Sequence, residues 1–348
     1  MADIVLDKIS TFHDNSTFII AELSANHNQD FRLAVKTIKA MKKAGADAVK
    51  LQTYTTDTIT IDCNNKYFKI EEGLWKGETL YSLYKKAYTP WEWQPKLKEI
   101  AEDLGLVFFS SPFDKTAVDF LEKMNVNIYK IASFEITDIP LIEYVASKGK
   151  PIMISTGIAS LTDIEDAVKA CKRLGNEDIT LLHCVSSYPT QPEEFNLKTM
   201  VNLKDIFGVK VGLSDHSLTN DAAIASVALG ATVIEKHFII DRSMGGVDSA
   251  FSLEPDEFKS LVLSIRNVEK SLGKVDYSLN EKKKSNRRFS RSLFVVKDIK
   301  KGEKLTVENI RSIRPGDGLH PKYYEEILGK KVNCDILKGT PLEQIHIK

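Results

Sequence analysis

The chain has 348 residues, more than most single compact domains need, although an α/β barrel reaches about 250 residues as one unit. Its 48 Lys and Arg residues balance its 48 Asp and Glu residues, so the formal net charge is zero. This balance lacks the positive surplus of proteins that bind nucleic acid phosphates, and we exclude nucleic acid as a partner.

The cysteines and the apolar runs indicate a cytoplasmic chain. The four cysteines are widely spaced and form no CxxC pair, which is typical of reduced thiols. No apolar run approaches the ~20 residues of a membrane-spanning helix. The N-terminus MADIVLDKISTFHDN has no basic segment followed by an apolar one. We therefore expect neither export by that route nor a membrane partner.

Short apolar runs predict eight buried β-strands. They are continuously apolar rather than alternating, as strands covered on both faces require. They occupy residues 18–23, 46–52, 107–110, 128–133, 151–155, 179–184, 209–214 and 232–238.

Amphipathic segments of helical period separate these runs, and several end in Gly after Lys or Arg, as helices often do. Examples are residues 32–45, 115–124, 161–175 and 220–231. Eight strands alternating with helices predict an α/β fold, the (β/α)8 or TIM barrel. An open doubly wound sheet is the alternative, but no GxGxxG turn follows the first strand.

The C-terminal part has a different pattern. A helical period ends near Gly273, and the basic segment EKKKSNRRFSR follows. Beyond it, short β-like pieces and KG turns predict a small β-rich domain of about 57 residues, a size that is marginal alone. We therefore predict a barrel over residues 1–276, a linker over 277–290 and a second domain over 291–348.

Polar side chains follow the predicted strands at their carboxyl ends, where a barrel places its active site. A barrel interior that served packing alone would not need them. They are Glu22, Asn26, His27, Lys50, Gln52, Ser110, Ser111, Lys130, Ser133, Glu135, Ser155, Thr156, His183, Ser186, Ser214, Asp215, His216, Glu235 and His237.

Two histidines in this set are candidate metal ligands. His216 and His237 follow strands seven and eight, which are neighbours in a barrel. Imidazoles placed in this way suit a divalent metal that acts as a Lewis acid. Hydrogen-bonded core histidines are the alternative. Asp248, after strand eight, fits either a partner of this centre or a turn former.

Two lysines predict an anion site. Lys50 and Lys130 end otherwise apolar runs, and a buried lysine needs a partner. Together with strand-end serines they form a set suited to phosphate chemistry. No P-loop is present, which disfavours a nucleoside triphosphate. A Schiff base on one of the lysines is the mechanistic alternative.

Two glutamates and an aromatic segment complete the candidates. Glu22 and Glu135 are candidate acid or base groups, or ligands of a sugar hydroxyl or a water, with structural ion pairs to the lysines as the alternative. All three tryptophans lie in residues 74–93, between strands two and three. This excursion predicts either a substrate wall or an aromatic cap.

Nine ordered motifs make nearly the whole chain resemble the sialic acid synthases. They are AELSANH (21–27), AVKLQTY (48–54), FSSPFD (109–114), YKIASFE (129–135), ISTGIA (154–159), LHCVSSYPT (182–190), GLSDHS (212–217), IEKHF (234–238) and IRPGDGLHP (313–321). The resemblance implies a barrel followed by an antifreeze-like domain, the SAF or β-clip domain. The segments ETLYSLYKKAYTPWEW, SFEITD and GLHPKYYEEILGKK most resemble the pseudaminate branch.

The resemblance also implies a reaction. The family condenses phosphoenolpyruvate with an N-acetylated aldose and water to give a nine-carbon 2-keto acid and phosphate by C–O cleavage, using Mn²⁺ or Mg²⁺. The pseudaminate branch implies 2,4-diacetamido-2,4,6-trideoxy-L-altrose as acceptor, with the neuraminate and legionaminate branches as alternatives. A Schiff-base aldolase and a catalytically silent carbohydrate-binding protein are the alternatives outside the family.

Residue roles follow from the same resemblance. Glu22, Glu135 and His237 are implied in catalysis, and His216 and His237 as metal ligands. Gln52, Asp248 and Arg314 are implied as sugar contacts, with Arg314 reaching the barrel of the other subunit of a domain-swapped homodimer. The implied phosphoenolpyruvate contacts are Lys50, Ser111, Lys130, Ser133, Ser155, Ser186 and Ser214.

Overall fold

The structure is a computed structural model that describes residues 16–348, and these fall into two compact units that divide after Gly273. The sequence prediction places its first boundary after residue 276. The N-terminal segment on which the expectation of no leader rests lies outside the described residues. None of the described helices is long and apolar enough to cross a membrane.

The first unit is a closed barrel of eight parallel strands in sequence order, in which the last strand pairs with the first. The predicted TIM barrel is therefore confirmed. Its strands are β1 (Phe18–Glu22), β2 (Ala48–Thr53), β3 (Val107–Pro112), β4 (Tyr129–Ile131), β5 (Ile152–Ser155), β6 (Ile179–Cys184), β7 (Lys210–Asp215) and β8 (Val233–His237).

Helices surround the barrel and cover the outer faces of the strands. The first one illustrates why they form where they do: the Asp30 side chain accepts hydrogen bonds from the backbone N–H groups of Arg32 and Leu33, and Gly45 ends the helix at a φ of 95°. The helices are α1 (Phe31–Ala44), α2 (Thr56–Ile59), α3 (Leu80–Ala87), α4 (Gln94–Asp103), α5 (Lys115–Lys123), α6 (Ile139–Ala146), α7 (Leu161–Arg173), α8 (Lys198–Phe207), α9 (Asp221–Ala228) and α10 (Pro255–Leu272).

The interior of the barrel changes from apolar to charged along each strand. Side chains alternate between the two faces of a strand, so on β1 the inward positions run Phe18, Ile20 and Glu22. On β8 they run Val233, Glu235 and His237. The apolar inward residues form one buried cluster: Phe18, Ile20, Ala48, Val107, Phe109, Ile128, Met153, Leu182 and Val233. This cluster fills the amino-terminal half, and the polar residues occupy the carboxyl-terminal half.

One inward position has no room for a side chain. A Cβ atom on Gly212 in β7 would lie 2.4 Å from the Val233 carbonyl oxygen and 2.8 Å from Leu182 Cδ2. Glycine at this position therefore avoids a clash with the β8 backbone and with Leu182.

The second unit is small and has its own core. Residues 274–291 are exposed and contain the short helix α11 (Glu281–Asn286). The strands β9 (Ser292–Val295) and β10 (Ile310–Ile313) pair antiparallel, and the helix α12 (Tyr324–Ile327) follows. The core consists of Leu293, Val295, Ile299, Leu305, Ile310, Ile327, Val332, Ile336 and Leu342. The predicted small β-rich domain is confirmed.

Candidate active site

A cavity of about 330 Å³ lies at the carboxyl ends of the barrel strands. The structure brings nearly all of the predicted site residues together around it; Ser186 lies beside this lining, and Arg314 belongs to the second unit. The predicted residues that line the cavity are Glu22, Lys50, Gln52, Ser111, Lys130, Ser133, Glu135, Ser155, Ser214, His216, His237 and Asp248.

Lys50 lies between two carboxylates at the base of the cavity. Its Nζ atom is 2.8 Å from Glu22 Oε2 and 2.8 Å from Glu235 Oε1, and all three side chains are buried. Burial favours the neutral amine, but the two carboxylates outweigh it and raise the pKa of Lys50. Lys50 is therefore a fixed ammonium, so the Schiff-base alternative does not suit this lysine.

Glu22 is the other half of this arrangement. Burial alone would raise the pKa of its carboxyl, but Lys50 and His237 outweigh burial and hold that pKa well below its ordinary value. The ion-pair alternative therefore applies to Glu22, which is ionised.

Lys130 has a different environment. Its Nζ atom donates hydrogen bonds to Ser155 Oγ at 2.7 Å and to the Ile131 carbonyl at 3.1 Å, while Glu235 Oε1 is 3.9 Å away. Burial lowers the pKa of Lys130, because the distant carboxylate only partly offsets it. A buried lysine with this incomplete pairing suits an incoming anion.

The serines supply hydroxyl groups around the two lysines. Ser214 Oγ donates to Glu235 Oε1 at 3.0 Å, and Ser133 Oγ lies 3.0 Å from Ser186 Oγ. Ser111 Oγ is buried and has no hydrogen-bond partner among the described residues. Because a buried hydroxyl without a partner is costly, Ser111 is suited to a ligand in the cavity.

The two predicted metal-ligand histidines face one another. Their ring centroids are 5.2 Å apart. His216 Nδ1 lies 3.1 Å from the Val185 carbonyl and donates to it, which leaves the lone pair on Nε2. Burial, with His237 nearby, lowers the pKa of His216 to about 3, so this imidazole is neutral.

His216 and His237 together supply two imidazole donors to the cavity. His237 Nδ1 is buried without a hydrogen-bond partner among the described residues. The described residues contain no group of three or more His, Cys, Asp and Glu side chains arranged to hold a metal. Two imidazoles are fewer protein ligands than a closed structural site uses, so a metal held here would need further ligands from substrate and water.

A hydrogen-bonded chain links the base of the cavity to the loop after β8. Gln52 Nε2 donates to Glu22 Oε1 at 2.9 Å and lies 3.0 Å from Ser24 Oγ. Ser24 donates to Asp248 Oδ2, which lies 4.0 Å from His237 Nδ1. Asp248 is thus part of the histidine environment, and not only a turn former.

Glu135 differs from Glu22 in having no ion pair among the described residues. It follows β4 in a short 3-10 turn, and its Oε2 atom is buried without a hydrogen-bond partner in this part of the chain. Burial raises the pKa of Glu135 to about 7. A carboxyl with this pKa can both donate and accept a proton near neutrality.

The tryptophans of the excursion have separate roles. Trp75 lines the cavity, and its indole N–H donates to the Val247 carbonyl at 3.0 Å. Trp91 instead donates to the Tyr54 carbonyl at 3.0 Å, and Trp93 packs edge-on against His27. Trp75 therefore forms part of the cavity surface, whereas Trp91 and Trp93 pack the excursion against the barrel.

Some polar residues at the strand ends lie outside the cavity lining. His27 Nε2 lies 3.1 Å from Thr89 Oγ1 and anchors the excursion, and His183 Nε2 lies 2.5 Å from the Phe195 carbonyl. Asp215 forms a fully buried ion pair of 2.9 Å with Lys236. The side chains of His27, His183 and Asp215 therefore have partners within the protein framework.

Glu235 and Tyr188 are among the residues of the site that received no role from the sequence. Glu235 was noted only as a polar strand end, yet it contacts Lys50 and Ser214. Its position two residues before His237, on the same face of β8, was the signal that could have found it. Tyr188 packs on His216 with ring centroids 4.6 Å apart, and no periodicity marks this loop residue.

Comparison with known proteins identifies the family. Residues 37–277 match the NeuB family, and residues 290–347 match the SAF domain. The chain belongs to the NeuB family. The resemblance to the sialic acid synthases and the expected C-terminal SAF domain are thereby confirmed.

Relatives and solved structures of this family cover most of the chain. It is 51% identical to the pseudaminic acid synthase of Helicobacter pylori, over 95% of this chain and 97% of that protein. It is 49% identical to the pseudaminic acid synthase of Campylobacter jejuni, over 95% and 96%. The N-acetylneuraminic acid synthetase of Leptospira borgpetersenii is similar in structure, with a TM-score of 0.70, 34% identity and coverage of 78% of this chain and 90% of that one.

Proposed function

We propose that this NeuB-family member is an enzyme that condenses phosphoenolpyruvate with 2,4-diacetamido-2,4,6-trideoxy-L-altrose and water, giving pseudaminic acid and phosphate. The observation that carries the proposal is the likeness to pseudaminic acid synthases at 49% and 51% identity. The cavity supports it, since a base of two lysines and several serines is suited to a phosphorylated acid.

The proposed phosphoenolpyruvate site is the base of the cavity. Lys130 is the principal cation there, because Lys50 already shares its charge with Glu22 and Glu235. Ser111, Ser155 and Ser214 supply hydroxyl donors to the phosphate and carboxylate oxygens, with Ser133 and Ser186 at the rim. The enol carbon C3 then faces the region in front of His216 and His237.

We further propose that His216 and His237 hold Mn²⁺ or Mg²⁺, with Asp248 and Gln52 close to the sugar. Bound there, the cation would polarise the acceptor aldehyde as a Lewis acid. The protein's own part is to orient the ligands: the Val185 carbonyl fixes the His216 ring, and Ser24 holds Asp248 beside His237.

Glu135 and Glu22 have different proposed roles, the first in proton transfer and the second in orienting water. When C3 bonds to the aldehyde carbon, the aldehyde oxygen needs a proton, and Glu135 with its pKa of about 7 can donate it. Water then adds at C2, and the Glu135 carboxylate takes up the water proton before the C–O bond to phosphate breaks. Glu22 stays ionised and orients that water, since its low pKa makes it a weak base.

The SAF unit is proposed to complete the site of a second subunit. Arg314 would hold an acetamido group of the sugar in the barrel of a domain-swapped homodimer. The exposed segment of residues 274–291 would be the part of the chain that crosses between subunits. Support comes from the resemblance of IRPGDGLHP to the corresponding family motif.

Acceptor-dependent phosphate release tests the proposed function. The protein is incubated with phosphoenolpyruvate, Mn²⁺ and one acceptor at a time. We expect the diacetamido trideoxy altrose to support the fastest release. Faster release with N-acetylmannosamine, or with the legionaminate precursor, would overturn the assignment to the pseudaminate branch.

A Schiff-base aldolase is the second candidate, because burial lowers the pKa of Lys130. Borohydride with each substrate discriminates between the two mechanisms. We expect no covalent adduct at Lys130 by mass spectrometry and no loss of activity; a trapped adduct would favour the aldolase.

A further inference from the structure

The cavity has chemically different ends. Charged and hydroxyl side chains form its base, at inward positions of the strands. Beyond the ends of β2 and β3, one side consists of apolar and aromatic residues. This side, here called the apolar wall, is made of Tyr54, Ile59, Leu83, Tyr84, Ala87 and Phe113.

The apolar wall is held in place by its own packing. Tyr54 is 2% exposed, and its ring meets those of Tyr84 and Phe113 with centroids 5.7 and 5.1 Å away. Leu83 is also buried, at 7% exposure, and fixes α3 against this layer. Contacts of this kind leave little freedom for the wall to rearrange around a ligand.

Hydrogen bonds from the barrel loops fix the backbone of the excursion. Gln29 Nε2 donates to the Lys86 carbonyl in the last turn of α3 at 3.2 Å and to the Tyr88 carbonyl directly after α3 at 2.5 Å. Trp91 fixes the Tyr54 carbonyl at 3.0 Å. The wall is therefore a preformed surface, as a specificity element requires.

The chemistry sets the direction in which the acceptor lies. Phosphoenolpyruvate needs Lys130 and the serines at the base, so the aldehyde carbon must meet it there. The opposite end of the sugar then points out of the barrel, toward the apolar wall beyond the strand ends. The aliphatic members of the apolar wall, Ile59, Leu83 and Ala87, have no side-chain group that can hydrogen-bond to a hydroxyl.

We propose that the apolar wall contacts the C6 methyl end of the acceptor and selects against sugars with a hydroxyl at that carbon. This inference rests on the proposed function. Against Ile59, Leu83 and Ala87, a C6 hydroxyl would lose its water without gaining a partner, while a methyl group gains contact. An apolar pocket discriminates against an added hydroxyl by about 10-fold to 100-fold.

The test compares two acceptors that differ at C6 alone. Phosphate release is measured with the 6-deoxy altrose and with the same diacetamido sugar bearing a 6-hydroxyl, in the parent, Ile59→Thr and Ile61→Thr. Ile61 lies two residues after Ile59, is 58% exposed and does not line the cavity, so it is the matched control. Ala87→Ser provides a second, independent change in the wall.

We expect the parent to prefer the deoxy sugar in kcat/KM by about 10-fold or more. Ile59→Thr and Ala87→Ser should each reduce that ratio about 5-fold, a change of about 1 kcal/mol, while KM for phosphoenolpyruvate stays constant. Ile61→Thr should keep the parental ratio.

Three results would contradict the inference. Equal turnover of both altrose sugars by the parent would overturn the role of the wall while leaving the proposed function standing. The same holds if Ile59→Thr and Ala87→Ser keep the parental ratio. No turnover of either altrose, with turnover of another acceptor, would instead overturn the proposed function and the inference together.

Discussion

Lys50 of β2 and Glu235 of β8 form a buried ion pair inside the barrel, with Nζ and Oε1 2.8 Å apart, and Glu22 of β1, between them, pairs with the same ammonium at the same distance. One cation thus holds two carboxylates in the interior. Since buried charges are costly unless they are paired, each member depends on the others.

Lys50→Met should destabilise the barrel by about 3 kcal/mol or more, because it leaves Glu22 and Glu235 buried without their shared partner. Urea unfolding followed by tryptophan fluorescence measures this, since all three tryptophans lie in the barrel unit. Lys50→Met with Glu235→Gln should recover part of the loss. Equal stability of parent and Lys50→Met would contradict the pairing.

Glu135 should make stability depend on pH. Its pKa rises from 4.5 to about 7 on folding, so its contribution to stability is complete below pH 4.5 and is lost as pH rises toward 7. Glu135→Gln removes this titration. The stability of the variant relative to the parent should therefore increase between pH 4.5 and 7, by roughly 3 kcal/mol in total, and then level off.

The measurement is urea unfolding of parent and Glu135→Gln at a series of pH values. Activity should be largely lost in the variant, because Gln can neither give nor take the proton. A stability difference that does not change with pH would show that the carboxyl is not held protonated.

His216→Ala and His237→Ala should each abolish tight Mn²⁺ binding as well as activity. Binding is followed by the electron paramagnetic resonance signal of free Mn²⁺ during titration, which does not depend on turnover. His320→Ala removes an exposed histidine of the second unit and should bind Mn²⁺ as the parent does. Full activity after exhaustive chelation would refute the metal role.

Arg314→Ala should raise KM for the sugar and leave the barrel folded. If the SAF unit serves the other subunit, mixing Arg314→Ala with His237→Ala should restore activity at low sugar concentration. In a mixed dimer, one site combines an intact barrel with an intact Arg314. A mixture that, after subunit exchange, is no more active at low sugar concentration than Arg314→Ala alone would exclude domain swapping.

The sequence by itself determined the fold and the location of the site. Continuous apolar runs alternating with amphipathic segments predicted the barrel, because strands covered on both faces have to be apolar throughout. Their carboxyl ends carried Lys50, Lys130, His216 and His237, and parallel strands bring such ends to one mouth. Local patterns therefore sufficed for the fold and for most members of the site.

Only the tertiary structure decided which polar strand ends face the cavity and what charge they carry. Ser214 and Asp215 are adjacent in β7, yet one lines the cavity and the other pairs with Lys236 outside its lining, because successive side chains point to opposite faces. The ionised Glu22 and the proton-holding Glu135 are both glutamates. Lys50 and burial separate their pKa values, and those surroundings come from distant parts of the chain.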